Sequence, residues 1–284
     1  MRIVARVFVT WFACCGVQRT CALALWSVPL VLLESCGVTQ SCKVGVAYWT
    51  PRLHGDITVD GTSRNPDSHP RANGLTIEGH AEGVSSNATM EYRSLYYPTS
   101  YGLPDTGLRA TREEFLPWHQ SVLIAGGPKI LELGGTQKAT GRNRRPSTLR
   151  LDSFVGVRGN LLTLEGERHG FVSGGDEDRK NSKDGTHDET AWADPVAGLL
   201  TSWLIHPRIG LRAVGEAGGF GVASNRTWLA SLAGMVCLGH QDRYSVWLSA
   251  GWQGMAVDRE GGSGSSFHLD TKAAGPFLGL EFWF

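Results

Sequence analysis

The chain has 284 residues, room for one large domain or two small ones, and its 27 Lys+Arg balance 27 Asp+Glu, so the formal net charge is zero. That balance excludes the basic excess of a nucleic-acid binder. Glycine is in excess at 37 residues, scattered through apolar stretches with no Gly-X-Y repeat, and there are ten tryptophans, a composition that fits curved sheets and membrane interfaces.

In chain order, Arg2 and Arg6 precede the apolar stretch Val7–Val17, and Arg19 precedes a second, Cys21–Leu33. Both are too short to span a bilayer as a helix and read as an export signal. Residues 1–41 are therefore expected to be a targeting segment, cleaved somewhere between 24 and 42, and 42–284 the mature domain. Five of the six cysteines (Cys14, Cys15, Cys21, Cys36, Cys42) lie in or beside that segment and only Cys237 lies in the body. There is no CxxC pair, so neither a disulfide framework nor a zinc site is expected. No later segment is apolar enough for a membrane helix, so a membrane role requires strands.

The body reads as strands of period two. The first is expected from Lys43 to about Gly61. Residues 62–105 are Ser/Pro/Asn-rich and read as one long loop or as two hidden strands. Strands are then expected at 106–116, 121–133, 148–159, 161–172, 190–205, 208–220, 226–239, 243–257 and 266–284, ten in all. Leu149, Leu151, Val155 and Val157 oppose Arg150, Asp152, Arg158 and Asn160. Ile209, Leu211 and Ala213 oppose Arg208, Gly210 and Arg212, with Glu216 on the second face. Tyr244, Val246, Leu248, Ala250 and Trp252 alternate with Ser245, Trp247, Ser249, Gly251 and Gln253. In the last strand Leu278, Leu280, Phe282 and Phe284 share one face, and Phe277, Gly279, Glu281 and Trp283 the other.

Connections after Asn160, at His206-Pro207 and at His240–Arg243 are short. Those at 134–147, 173–189 and 258–266 are longer and polar, with 221–225 a modest member of that set. Alternating short turns and long loops is the plan of a membrane barrel. The expected fold is an all-β, antiparallel, up-and-down transmembrane barrel of about ten strands, within 8–12. Ten strands lie close to the eight whose side chains just fill the lumen, so Asp152, Arg158, Asp194, Arg212, Glu216 and Glu281 are candidates to line a narrow lumen and pair across it. A soluble lipocalin-like barrel would instead bury the apolar faces inward. Leu278, Leu280, Phe282, Leu248 and Val246 should face lipid, and Glu281, Ser249 and Gln253 should face in.

Several segments resemble a family of small bacterial outer-membrane β-barrel proteins. Trp192-Ala193-Asp194-Pro195-Val196-Ala197-Gly198 matches its W-x-D-P-x-x-G motif. Gly218-Gly219-Phe220-Gly221-Val222-Ala223-Ser224 with Thr227-Trp228, the ending Gly275-Pro276-Phe277-Leu278-Gly279-Leu280 up to Phe284, and Tyr48-Trp49 with Gly55-Asp56-Ile57-Thr58-Val59 match further segments. The resemblance covers about residues 44–60 and 106–284. It implies the barrel fold, an outer-membrane location reached through the periplasm, contact with outer-membrane lipid, and presentation of the closing strand (Leu280, Phe282, Phe284) to the barrel assembly machinery. It implies no substrate. Where the family often has Gly-Tyr-Arg, this chain has Met235-Val236-Cys237 and Gly251-Trp252-Gln253, which removes two lumen arginines.

Chemistry-bearing patterns are weak. Gly219–Ser224 is followed by a strand pattern, so a turn outweighs a phosphate loop. His187-Asp188-Glu189 and Asp176-Glu177-Asp178 share their loop with Arg179, Lys180 and Lys183, which repel a cation. His169, Ser173 and Asp194 are one constellation among many that could serve as the Ser, His and acid of a barrel-wall lipid-modifying enzyme. The expectation is a structural or surface-interaction barrel, not an enzyme, with no cofactor, metal or nucleic-acid partner; a narrow channel for small solutes is the second reading.

Overall fold

Alternation of apolar and polar residues gives each strand one face for hydrocarbon and one for a polar interior, and only a closed sheet leaves no unpaired edge in lipid. The computed structural model describes residues 41–59, 62–64, 72–82, 85–96, 99–102, 109–134, 147–172, 183–241, 244–260 and 267–284. The expectations on the export signal, on Asp176–Asp178 and on Ser173 lie outside them. The strands are β1 (Ser41–Trp49), β2 (Arg52–Val59), β3 (Thr62–Arg64), β4 (Asn73–Glu82), β5 (Ser86–Tyr96), β6 (Thr99–Gly102), β7 (Arg109–Leu133), β8 (Thr148–Val172), β9 (Lys183–His206), β10 (Ile209–Gly218), β11 (Arg226–Gln241), β12 (Tyr244–Glu260) and β13 (Phe267–Trp283).

Every pairing is antiparallel, in the order β1-β4-β5-β7-β8-β9-β10-β11-β12-β13, and β13 returns to β1 to close the barrel. β1 and β2 are one bent stave, interrupted at Thr50-Pro51. β13 pairs with β1 from Trp283↔Lys43 to Phe277↔Trp49, and with β2 from Ala274↔Arg52 onward. The seam ends in two backbone bonds, Phe284 N to Cys42 O at 2.8 Å and Cys42 N to Phe284 O at 3.2 Å. Counting the bent pair once, the barrel has ten staves, with β3 and β6 as short additions to β2 and β7.

The expected positions of several strands need correction. The segments 106–116 and 121–133 are one strand, β7, and 148–159 and 161–172 are one strand, β8. No turn follows Asn160. Gly159 and Asn160 are turn formers by type, but here they are paired on both sides, with Val122 and Ser121 of β7 and with Ala193 and Trp192 of β9. The missing two staves are β4 and β5, inside 62–105. The connection 134–147 also changes ends. It joins Leu133 to Thr148 where both terminal strands lie, the end that otherwise carries the short connections 83–85, 207–208 and 242–243. In a membrane barrel that end is periplasmic. The outer end carries 65–72, 97–108, 173–182, 219–225 and 261–266.

The apolar faces point outward. On β11, Trp228, Leu232, Val236 and Leu238 are exposed while Leu229, Ala233 and Met235 are buried inside. From Trp228 to Leu238 a tilted strand covers about 25 Å, the height of a hydrocarbon band. On β13, Leu278 and Leu280 are exposed while Glu281 is buried at 5 %, and on β12 Ser249 and Gln253 are buried. Val246, Leu248 and Phe282 alternate with these inward residues and are half-buried on the outer face. A soluble barrel would have the opposite sense. The chain is a transmembrane β-barrel, and a closed barrel of this build belongs to the outer membrane.

Candidate functional site

Inward residues of ten staves converge on one axis, so the lumen is the place to look for chemistry. Its contents form three tiers.

At the periplasmic end, Glu82 of β4 takes Lys43 of β1 at 2.7 Å and also pairs with Arg150 of β8; Arg150 Nε reaches Asp152 at 2.7 Å. The Lys43 ammonium lies 4.4 Å from the centre of the Trp283 ring, which stacks on Trp247 at 4.8 Å. Outside this tier a cavity of about 330 Å³ opens at the mouth, lined by residues that include Ser41, Glu132, Thr148, His240 and Tyr244.

In the middle, three guanidinium groups meet four carboxylates. Arg158 donates a two-point bond to Glu216 (2.8 and 2.7 Å) and a third bond to Glu91 (3.0 Å). Arg93 also reaches Glu91, at 2.9 Å. Arg212 of β10 donates two bonds to Glu78 of β4, one at 2.8 Å, and lies 3.6 Å from Glu281 of β13. β10 and β4 stand on opposite sides of the barrel, five staves apart, so this pair straps the full lumen. Two-point Arg–carboxylate pairs combine charge with fixed geometry. Gly45 makes the space for it: a Cβ there would sit 3.0 Å from Glu78 Oε1 and 3.3 Å from Glu281 Cγ. The remaining void is about 50 Å³, room for a few waters and no larger solute.

Above this lies Asp194, fully buried. Its oxygens accept four bonds: from Ser224 N (2.9 Å), Ser224 Oγ (2.8 Å), Trp192 Nε1 (2.9 Å) and Asn160 Nδ2 (3.2 Å). The W-x-D-P and G-G-F-G-x-x-S motifs are thus the two halves of one device. Asp194 pins the β10–β11 hairpin, and Gly219 N bonds to Pro195 O at 3.1 Å. Gly219 (φ +84°) and Phe220 (φ +48°) both have left-handed backbone, which favours glycine at the first position. Trp192 is sandwiched between His119, stacked at 5.8 Å, and the Arg259 guanidinium at 4.5 Å. The outer end is apolar, filled by a cluster that includes Trp49, Leu53, Ile57, Leu95, Leu162, Leu164, Met255, Val257 and Leu269.

All six lumen candidates from the sequence, Asp152, Arg158, Asp194, Arg212, Glu216 and Glu281, lie in this interior. They do not form one site. Arg158 with Glu216 and Arg212 with Glu281 belong to the middle tier, while Asp152 lies below it and Asp194 above. Leu280, Phe282 and Phe284 lie on the outer face of the β13–β1 seam. Sequence reasoning missed Lys43, Glu78, Glu82, Glu91 and Arg93, and placed Arg150 on the charged face of its strand without naming it for the lumen; these six take part in six of the eight Lys/Arg–carboxylate contacts described in the lumen. Of the Ser–His–acid set, Asp194 is the one whose contacts are described, and it accepts bonds from Ser224, Trp192 and Asn160. Among the described residues no group of three or more His, Cys, Asp or Glu converges as a metal site.

No protein-family model and no curated protein matches the chain. Among solved structures it is similar to Ail, the attachment invasion locus protein of Yersinia pestis (11% identity, covering 86% of this chain and 98% of that one, TM-score 0.33). It is also similar to the outer membrane protease OmpT from Escherichia coli (10%, 87% and 97%, TM-score 0.37) and to Neisserial surface protein A (8%, 85% and 95%, TM-score 0.27). At such TM-scores these likenesses carry no argument about function, and the assignment as a membrane barrel rests on its own closure, its apolar exterior and its charged lumen.

Proposed function

We propose that the chain is a sealed outer-membrane barrel with a structural or surface-interaction role. The observation that carries this reading is the double filling of the lumen. The Arg212–Glu78 strap crosses it in the middle, and an apolar cluster closes its outer end. The rim supports a surface role: β7, β8 and β9 have 25, 25 and 24 residues against 10 in β10, so a tall three-stranded wall stands beyond the membrane. By resemblance, Phe284, Phe282 and Leu280 form the ending read by the assembly machinery. Planar-bilayer recording of the purified barrel tests the seal. No conductance steps are expected, and a stable ohmic channel in the unmodified protein would overturn the proposal. A second reading, a narrow solute channel, draws support from the cavity at the periplasmic mouth, and the same recording decides against or for it.

A further inference from the structure

We propose that Arg52 and Lys272, on either side of His54, form a binding site for the phosphate of an anionic phospholipid in the outer leaflet. β2 and β13 pair here with His54 opposite Lys272 and Arg52 opposite Ala274. Directly opposed residues of an antiparallel pair project from one face, and Arg52 is the next residue on that face of β2. All three are exposed. Ala274 is small, so nothing bulky stands between Arg52 and Lys272.

The depth of this cluster decides its ligand. Below it the same outer face of β13 runs through Pro276, Leu278, Leu280 and Phe282, and that of the β1–β2 stave through Tyr48, Val46 and Val44. Trp252, exposed at 58 %, is paired with Pro276 just under the cluster. Aromatic side chains mark the boundary of the hydrocarbon band. Arg52 and Lys272 are therefore the first cations met on leaving the apolar layer at the outer end, at the height of lipid phosphates. Neither has an ion-pair partner among the described residues.

The next row outward is acidic beside the site: Asp258 faces Asp270, and Asp270 faces Asp56, with Arg226 beyond Asp258 on β11. Like charges in direct opposition are unfavourable, and they exclude a second phosphate above the first. The site thus accepts a single phosphate at its base, with hydroxyl or amine groups of the headgroup turned toward the aspartates.

The test uses the full barrel in nanodiscs of phosphatidylcholine with a minor share of phosphatidylglycerol, with mass spectrometry of the lipid that stays bound after mild delipidation. Phosphatidylglycerol should be enriched over its bulk share about thirtyfold, from two interfacial cations. The R52Q/K272Q variant should return it to the bulk share while keeping its heat-modifiable mobility, which reports the folded barrel. R208Q, in the exposed β9–β10 turn at the periplasmic end, should leave the enrichment as in the unmodified protein. No enrichment in the unmodified protein, enrichment that survives R52Q/K272Q, or an equal loss in R208Q would each overturn the proposal.

Discussion

The middle and the outer end of the lumen fill the same tube by opposite means. The middle is ionic: its contacts are directional and, apart from Arg93 with Glu91 within β5, join staves that are not neighbours, Arg158 of β8 with Glu91 of β5 and Arg212 of β10 with Glu78 of β4. The outer end is apolar, and Leu95, Leu162 and Leu269 pack without directional side-chain partners. An apolar filling is tolerant of small slips, because burial depends on area and not on angle. The ionic filling tolerates few, because each two-point pair needs its donors and acceptors within narrow limits of distance and angle. The comparison assigns the register to the middle and, on the proposed function, the seal to the outer end.

The sharpest way to break it is Arg158→Met. This leaves Glu91 and Glu216 short of a buried cation and should cost about 3–5 kcal/mol, read as a shift of the urea unfolding midpoint in lipid vesicles. A loss below about 1 kcal/mol would mean that the ionic tier does not hold the staves. Leu162→Ala in the apolar tier should cost about 2–5 kcal/mol by cavity formation with the register kept; amide hydrogen exchange of β8 and β9 should then rise at the outer end only. Ser224→Ala removes one of the four donors to Asp194 and should cost about 1–3 kcal/mol, with the β10–β11 hairpin exchanging faster. The smallest effect is expected from salt. Raising ionic strength should change stability by less than about 1 kcal/mol, because buried pairs are poorly screened. A larger loss would place the middle tier in contact with bulk water.

The same two regions explain what could be read from sequence. The outer faces of β11, β12 and β13 alternate cleanly because lipid demands it, so the barrel, its orientation and its closing seam were legible. So were Arg158, Arg212, Glu216 and Glu281, each the odd polar residue in an apolar-alternating strand. Glu78 and Arg93 were not, although Leu75, Ile77, Gly79 and Ala81 alternate with Thr76, Glu78, His80 and Glu82. Ser, Pro and Asn at 62–72 and 83–87 read as loop and masked two strands of ten and eleven residues. The error at Asn160 is of the other kind. A turn-forming pair sits mid-strand because neighbours on both sides and the Asp194 carboxylate hold it, and none of those is adjacent in sequence. The three-tier order of the lumen depends on stagger between staves, which no single strand carries.

The seam also sets a clock. Trp49, near the start of the barrel, donates its indole N–H to Gly275, 226 positions later, and β13 must pair with both halves of the first stave. No local segment can make this contact early, and closing so long a loop is a slow event. Until the last seventeen-residue strand is delivered, β1 and β2 have no partner on one side, and their unpaired edge is a template for misassociation. The polypeptide must therefore be kept from folding for its whole transit, and commitment comes only when its final residues arrive.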